Sequence, residues 1–536
     1  MPLNKLRHIG FRATPSLLVI GIFLLGFLGS PENNGWLNRS PLWGPGDPFY
    51  TESNAETKFI ANPFLIWRGR PQYKGSSRHG PAGITNFIEH NAYGLRDDEL
   101  EAKKAPGTIR ILNLGDSATW GLNLRDRSET YSDQLEKLLN STTGVMGDGG
   151  SAGRRFDVIN GGTIGYSSFQ GLQFLRYWMD ELQPDVVTIY IGNNDPAPAP
   201  IKDVERVGTT LLSLRKVLSH NLFYLLLKKI FVNLHVEQLE RGREELKESV
   251  HIYQSKEDYY RFHARVSPDE YEMNLRQMIQ LLRGTGVRVI LLKVPMNLLW
   301  PPSVLPVLEL MLAPQKYWTG VYIATGYLKR AQQGLAPLGG DLMGHPYLSF
   351  VTPEQFSVIW EKSGAKSAWN VNSDQVGTWL KQVMDDETNP ELQRLWATHN
   401  LGVWYLIQGD ANAAVHVLEK MISKSRNCSQ CPPARAISMT YHALGVAYLF
   451  QGRRKEAFEK FLNSREVWPF GMSPDYQRRF DRVVQDLEVE WIDLPHLFAE
   501  HDPEFAGSTL IQDWVHPNAE GNRVIAEALA EKLKKE

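Results

Sequence analysis

Ser117, Asp513 and His516 have the residue types and spacing to do chemistry together. Gly115-Asp116-Ser117 closes the apolar run Ile109–Leu114, and Asp513-Trp514-Val515-His516 lies near the far end of the chain. A serine hydroxyl is a weak nucleophile until a base takes its proton, and an imidazole does this best when a carboxylate orients it. Asp513 and His516 supply orienter and base three residues apart. Attack on a carbonyl also needs donors fixed in advance for the developing oxyanion. The backbone N–H groups of Ser117 and Gly165 and the side-chain amide of Asn194 are the candidates, Gly165 from Asn160-Gly161-Gly162-Thr163-Ile164-Gly165 and Asn194 from Gly192-Asn193-Asn194-Asp195. Each motif alone has a plainer reading as turn or capping chemistry. Their order, each after its own candidate strand, sets them apart.

The strands that must position these residues are short and apolar. Ile109–Leu114, Phe156–Asn160, Val186–Ile191, Val287–Val294 and Val489–Leu494 read as strands, with helices over Tyr131–Leu139, Glu270–Arg283 and Gly521–Lys535. Apolar strands alternating with helices imply a parallel sheet covered on both faces. The site of such a sheet lies at the carboxyl ends of its strands, where the motifs fall.

The blocks resemble the SGNH hydrolases, also called the GDSL esterase/lipase superfamily. Gly115-Asp116-Ser117-Ala118-Thr119 is similar to the first family block, Gly165 to the second, Gly192-x-Asn194-Asp195 to the third and Asp513-x-x-His516 to the fifth. The resemblance implies a flavodoxin-like three-layer α/β/α domain over residues 107–302 and 487–536. It implies Ser117 as nucleophile, His516 as general base and Asp513 as its orienter, with Ser117, Gly165 and Asn194 as the oxyanion hole. No metal or organic cofactor is expected. No Gly-x-Ser-x-Gly elbow surrounds Ser117, so the α/β-hydrolase fold is a poorer match.

Residues 390–486 carry an internal repeat. Leu401-Gly402-Val403-Trp404-Tyr405 recurs as Leu444-Gly445-Val446-Ala447-Tyr448, with Ala414 and Ala457 at one offset and Phe461 and Pro469 completing the second copy. The pattern resembles tetratricopeptide repeats, whose period is about 34 residues. Here the copies are 43 apart, which leaves a loop containing Cys428 and Cys431, expected to pair as a local disulfide. This all-α insertion is either a surface for a protein partner or a brace for the α/β domain. Residues 303–389 are an insertion of unclear structure, and Leu211–His235 reads as a core-facing or lid helix, with an amphipathic membrane helix as the alternative.

Lys5, Arg7 and Arg12 precede an unbroken apolar run, Leu17–Leu28. Residues 1–30 are expected to form an uncleaved signal anchor, with the body on the exported side, periplasmic or extracellular; secretion after cleavage is the alternative. Residues 31–106 read as a linker and an extension packed on the next domain. The 58 basic and 60 acidic side chains give a net charge of −2, against nucleic acid as a partner. Two cysteines exclude a disulfide-rich scaffold.

These readings predict an exported, membrane-anchored serine esterase or acylhydrolase acting on an acyl ester, with a cell-envelope glycan or a lipid as the substrate class. An O-acyltransferase using the same acyl-enzyme, and a scaffold working through its repeats, are the alternatives.

Overall fold

Strands rich in Ile, Val and Leu at every position rather than every second one must be buried on both faces, and five of them build the central sheet. They are β5 (Thr108–Gly115), β6 (Arg155–Gly162), β7 (Val186–Tyr190), β8 (Arg288–Lys293) and β9 (Glu490–Asp493). All neighbours are parallel, in the order β6-β5-β7-β8-β9. Numbered from the first sheet strand, this is the doubly wound order 2-1-3-4-5, whose crevice opens beside the first strand, where the winding reverses. This computed structural model describes residues 58–79, 84–143, 155–199, 202–207, 260–299, 373–425, 434–467 and 471–534, with residues 63, 102–103, 262–263 and 390 excepted. The expected anchor (1–30), the stretch Leu211–His235, most of 303–389, Pro469 and Cys428 with Cys431 lie outside the described residues. Among the described residues no helix is long and apolar enough to cross a membrane.

Helices α1 (Ser117–Trp120) and α2 (Tyr131–Thr143) join β5 to β6, and α3 (Ser168–Leu182) joins β6 to β7. A short helix, α4 (Asp203–Val207), follows β7, and α5 (Pro268–Gly284) leads into β8. The chain moves to one edge through α2 and back through α3 and α5. Right-handed crossovers therefore place α2 on one face and α3 and α5 on the other. Ser167 and Ser267 start α3 and α5 with capping boxes to Gln170 and Glu270, which fixes where each loop ends and each helix begins.

The connection from β8 to β9 carries a helical array: α6 (Ser373–Asp385), α7 (Glu391–Ile407), α8 (Ala411–Ser425), α9 (Ala434–Phe450) and α10 (Arg454–Val467). The repeated Leu-Gly pair has a steric reason. A Cβ on Gly402 would sit 2.5 Å from Leu418 of α8, and one on Gly445 would sit 2.6 Å from Phe461 of α10. Each glycine lets the two helices of its pair approach closely, and Ala414 and Ala457 are fully buried in the same pairs. Helix α11 (Pro474–Leu487) returns the chain to the sheet and packs on α5. After β9, α12 (Leu494–His501) and α13 (Ala519–Lys534) complete the chain, α13 lying against α2.

The segment read as linker and extension has more structure than that. From Phe59 it forms two antiparallel ribbons, β1 (Phe59–Asn62) with β2 (Ile66–Gly69) and β3 (Lys74–His79) with β4 (Ile84–Glu89). Phe64, Leu65 and Trp67 join the core of the sheet domain, while Ile88 packs with Trp120 and Ile164. The sequence Lys74-Gly75-Ser76-Ser77-Arg78-His79 has no apolar alternation, so no strand signal was present to find.

Candidate active site

Ser117 is the first residue of α1, directly beyond the end of β5. Asp116 caps that helix, its Oδ1 accepting from the Ala118 N–H at 2.9 Å. The serine is thus presented on the first turn beyond the strand end, with its backbone fixed by the Asp116 cap. Ser117 Oγ lies 2.7 Å from His516 Nε2, and His516 Nδ1 lies 2.7 Å from Asp513 Oδ2. All three residues are buried. The carboxylate fixes the tautomer: Nδ1–H donates to Asp513, which leaves Nε2 to accept the serine proton.

Asp513 is itself held on three sides. Its Oδ1 accepts from the backbone N–H groups of Val515 (3.0 Å) and His516 (2.9 Å), which closes the turn that brings aspartate and histidine together. Its Oδ2 also accepts from Asn123 Nδ2 at 2.8 Å. Burial alone would raise the Asp513 carboxyl, but the charge of His516 and the hydrogen bonds from the His516 ring and from the backbone N–H groups of His516 and Val515 hold it below the ordinary range. Burial would lower His516, and the Asp513 charge with its hydrogen bond outweighs that, so the imidazole is raised. Asp116, fully buried beside them, is pushed up to about 6 by burial.

The other candidate residues lie in loops stitched to the same strand end. The Thr163 N–H donates to Gly115 O at 3.2 Å, and Asn193 Nδ2 donates to Asp116 Oδ2 at 3.1 Å. Asn194 is buried, with its Nδ2 donating to Tyr166 O at 3.1 Å; one amide hydrogen is engaged there and a second remains on the same nitrogen. Gly165 has φ 78°, a left-handed conformation that glycine adopts without strain. Its N–H has no hydrogen-bond partner among the described residues. Asp195, next to Asn194, accepts from Ser168 N–H at 2.9 Å and from the Ser168 hydroxyl, and burial pushes it up to about 8.

Residues 114–386 match the GDSL-like lipase/acylhydrolase family. The chain belongs to this family. Ser117, Gly165 and Asn194 fall inside the matched segment, while Asp513 and His516 lie beyond it. Three solved structures illustrate the likeness. The structure of TesA is 20% identical, covering 48% of this chain and 98% of its own with a TM-score of 0.20. AlinE4, an SGNH-hydrolase family esterase, is 16% identical over 49% of this chain and 97% of its own, TM-score 0.21. A GDSL-like lipase from Bacteroides thetaiotaomicron is 14% identical over 44% of this chain and 70% of its own, TM-score 0.18. No curated protein matches the chain. This GDSL-family chain is a hydrolase with an α/β domain built on a parallel sheet.

Several residues that hold the hydrolase site carried no recognisable motif. Asn123 reaches Asp513 across 390 positions of sequence. Asn297, buried in the loop after β8, donates from Nδ2 to Asp513 O at 2.8 Å and from its backbone N–H to Trp514 O at 3.2 Å. Arg465 of α10 donates in turn to Asn297 O at 3.1 Å, and His442 of α9 donates from Nε2 to Leu299 O at 3.1 Å. The helical array is therefore bonded to the loop after β8, and Asn297 of that loop is bonded in turn to the segment that carries the aspartate and histidine. Only the position of Asn297, four residues past the end of β8, marks it in the sequence.

Proposed function

We propose that this GDSL-family hydrolase is a serine esterase or acylhydrolase working through an acyl-enzyme on Ser117. The observation that carries the reading is the line from Ser117 Oγ through the His516 ring to Asp513, with 2.7 Å at each step. Ser117 Oγ attacks the ester carbonyl while its proton passes to His516 Nε2. Asp513, kept ionised, stabilises the imidazolium that forms. The tetrahedral oxyanion is taken by the N–H groups of Ser117 and Gly165 and the amide of Asn194. His516 returns the proton to the leaving alcohol. Water, deprotonated by the same imidazole, then releases the acid.

Compartment and substrate belong to the same proposal. The basic start and the apolar run Leu17–Leu28 support an anchored protein with its body exported, where acylated cell-envelope glycans are the esters within reach. The paired helices α7/α8 and α9/α10, with their recurring Leu-Gly contacts, support a tetratricopeptide-like reading of residues 390–486 and a surface for a protein partner.

The test is hydrolysis of p-nitrophenyl esters of graded chain length, with Ser117→Ala alongside. Loss of the nucleophile should lower kcat by about 10⁴-fold or more. Turnover indifferent to Ser117→Ala would refute the acyl-enzyme reading. An added oligosaccharide that diverts acetyl from water to itself would identify a transferase.

A further inference from the structure

The peptide that carries the Gly165 N–H also carries the Ile164 carbonyl, and a planar trans peptide points the two in opposite directions. Whatever grips the Ile164 oxygen therefore aims the Gly165 N–H. The grip comes from Trp67 of β2, whose Nε1–H donates to Ile164 O at 2.9 Å. Trp67 and Ile164 are both buried.

We propose that Trp67 is a positioning residue for the oxyanion hole, its indole N–H holding the Ile164–Gly165 peptide in the orientation that stabilises the transition state. The inference rests on the active-site reading given above. A hydrogen bond at the carbonyl end of a peptide also polarises its N–H end, strengthening it as a donor.

The surroundings of Trp67 are over-determined, as a positioning role requires. Ile66, immediately before it, has φ 70°, a conformation that a β-branched residue adopts only under constraint. The constraint is visible. Asn62 Oδ1 accepts from the N–H groups of Phe64 and Leu65, both at 2.8 Å, and Gln170 Nε2 donates to Leu65 O at 2.9 Å. Beyond the strained residue, Trp67 O accepts from the Tyr166 hydroxyl at 2.7 Å, and the indole packs edge-on against the Tyr166 ring at 5.9 Å. Arg265 lies 5.3 Å from the indole centroid and donates to Gly165 O at 2.7 Å. Asp203 pairs with that guanidinium at 2.7 Å. The peptides on both sides of the Gly165 α-carbon are thus held by Trp67 and Arg265, at a residue with no side chain to restrict it. Trp67 lies before the family-matched segment, which starts at residue 114, so this support comes from the N-terminal ribbon.

The experiment compares the full chain with Trp67→Phe, Trp67→His and Ser117→Ala on the p-nitrophenyl ester that the wild type hydrolyses fastest. Phe keeps an aromatic ring against Tyr166 and Arg265 while removing the N–H and some ring volume; His is smaller still but restores a ring donor. Trp67→Phe should lower kcat by about tenfold, less than the 10²–10³ typical when a direct oxyanion donor is removed. KM and the acid limb of the pH profile should stay in place, because Trp67 does not touch His516. Trp67→His should recover part of the loss. Wild-type kcat in Trp67→Phe would overturn the role of Trp67 and leave the active-site reading standing. A loss in which KM and the acid limb move together, with no recovery in Trp67→His, would also overturn it. Should Trp67→Phe fail to fold, Trp67→His decides: a kcat near wild type supports the role and one as low as Ser117→Ala overturns it. A wild type with no Ser117-dependent turnover overturns the active-site reading and the role of Trp67 with it.

Discussion

Replacing Asn123 with glycine should shift the pH dependence of catalysis upward. Asn123 Nδ2 donates at 2.8 Å to Asp513 Oδ2, the same oxygen that accepts from His516 Nδ1. Asn123 has φ 70°, where alanine would be strained and glycine is not. Its Oδ1 has no partner among the described residues, so the bond to Asp513 is the side-chain hydrogen bond that Asn123→Gly deletes there. A hydrogen bond to a charged group contributes about 1.5–3 kcal/mol. Without it, more of the Asp513 charge is available to His516, and the imidazolium is better stabilised. If about 1 kcal/mol of that interaction is redirected, the imidazole rises by about 0.7 pH unit, since one unit corresponds to about 1.36 kcal/mol. The sign is fixed by the starting point. His516 is already raised by Asp513, and losing a competitor for the carboxylate raises it further. The base must be neutral to act, so the acid limb of kcat/KM, which reports the free enzyme, moves to higher pH. Rate measurements from about pH 5 to 9 on one ester would show it. An acid limb that stays in place or moves downward would refute the reasoning that Asn123 and His516 share the Asp513 charge.

Three further expectations come from the same contacts. Arg465→Met removes the donor to the buried Asn297 O, so kcat should fall by about tenfold through a loosened Asn297 loop and Tm should fall with it, because a buried acceptor loses its partner; an unchanged kcat would mean that the array does not steady the site. Gly445→Ala forces a Cβ to within 2.6 Å of Phe461 and should cost about 1–3 kcal/mol by overpacking, read as a lower Tm. Asp195 is raised to about 8 by burial, so its stabilising contribution is present below the unfolded value near 4 and is lost as pH rises through 8. Asp195→Asn should therefore gain thermal stability relative to wild type between about pH 4 and 8, and a gap between the two melting curves that does not change with pH would count against this.

The sheet and its order of motifs were readable because each sheet strand is a short apolar run that ends in small or polar residues. Ile111, Leu112 and Leu114 are buried in β5 and stop at Gly115, where the chain must turn. In a parallel sheet every strand points its carboxyl end the same way, so placing the strands also placed Ser117, Gly165 and Asn194 on one rim. His516 joined them because its partner aspartate is local, the turn being closed by hydrogen bonds within Asp513–His516. The repeat was readable for a similar reason: Gly402 and Gly445 make the same close helix approach, so the same residue recurs.

What stayed illegible is what depends on partners far along the chain. Asn123, Asn297, Arg465 and Trp67 are ordinary loop, helix and strand residues by type; each acquires its role from a backbone or side-chain atom supplied by a distant element. The bonds of Asn123 to Asp513 and of Trp67 to Ile164 span 390 and 97 positions. No periodicity encodes such a contact, because it is made by folding and not by local conformation. The consequence is a division of labour within the site. The family-matched segment holds Ser117, the proposed nucleophile, and its rim, while residues outside it, Trp67 in the N-terminal ribbon and Arg465 in the helical array, grip the Ile164–Gly165 peptide and the Asn297 loop that is bonded to Asp513. A shortened chain that keeps only the sheet domain would retain Ser117, Asp513 and His516 and lose both grips. On this reasoning its failure would show in kcat before it showed in substrate binding, because one grip acts on the proposed oxyanion peptide and the other, through Asn297, on the loop of Asp513 and His516.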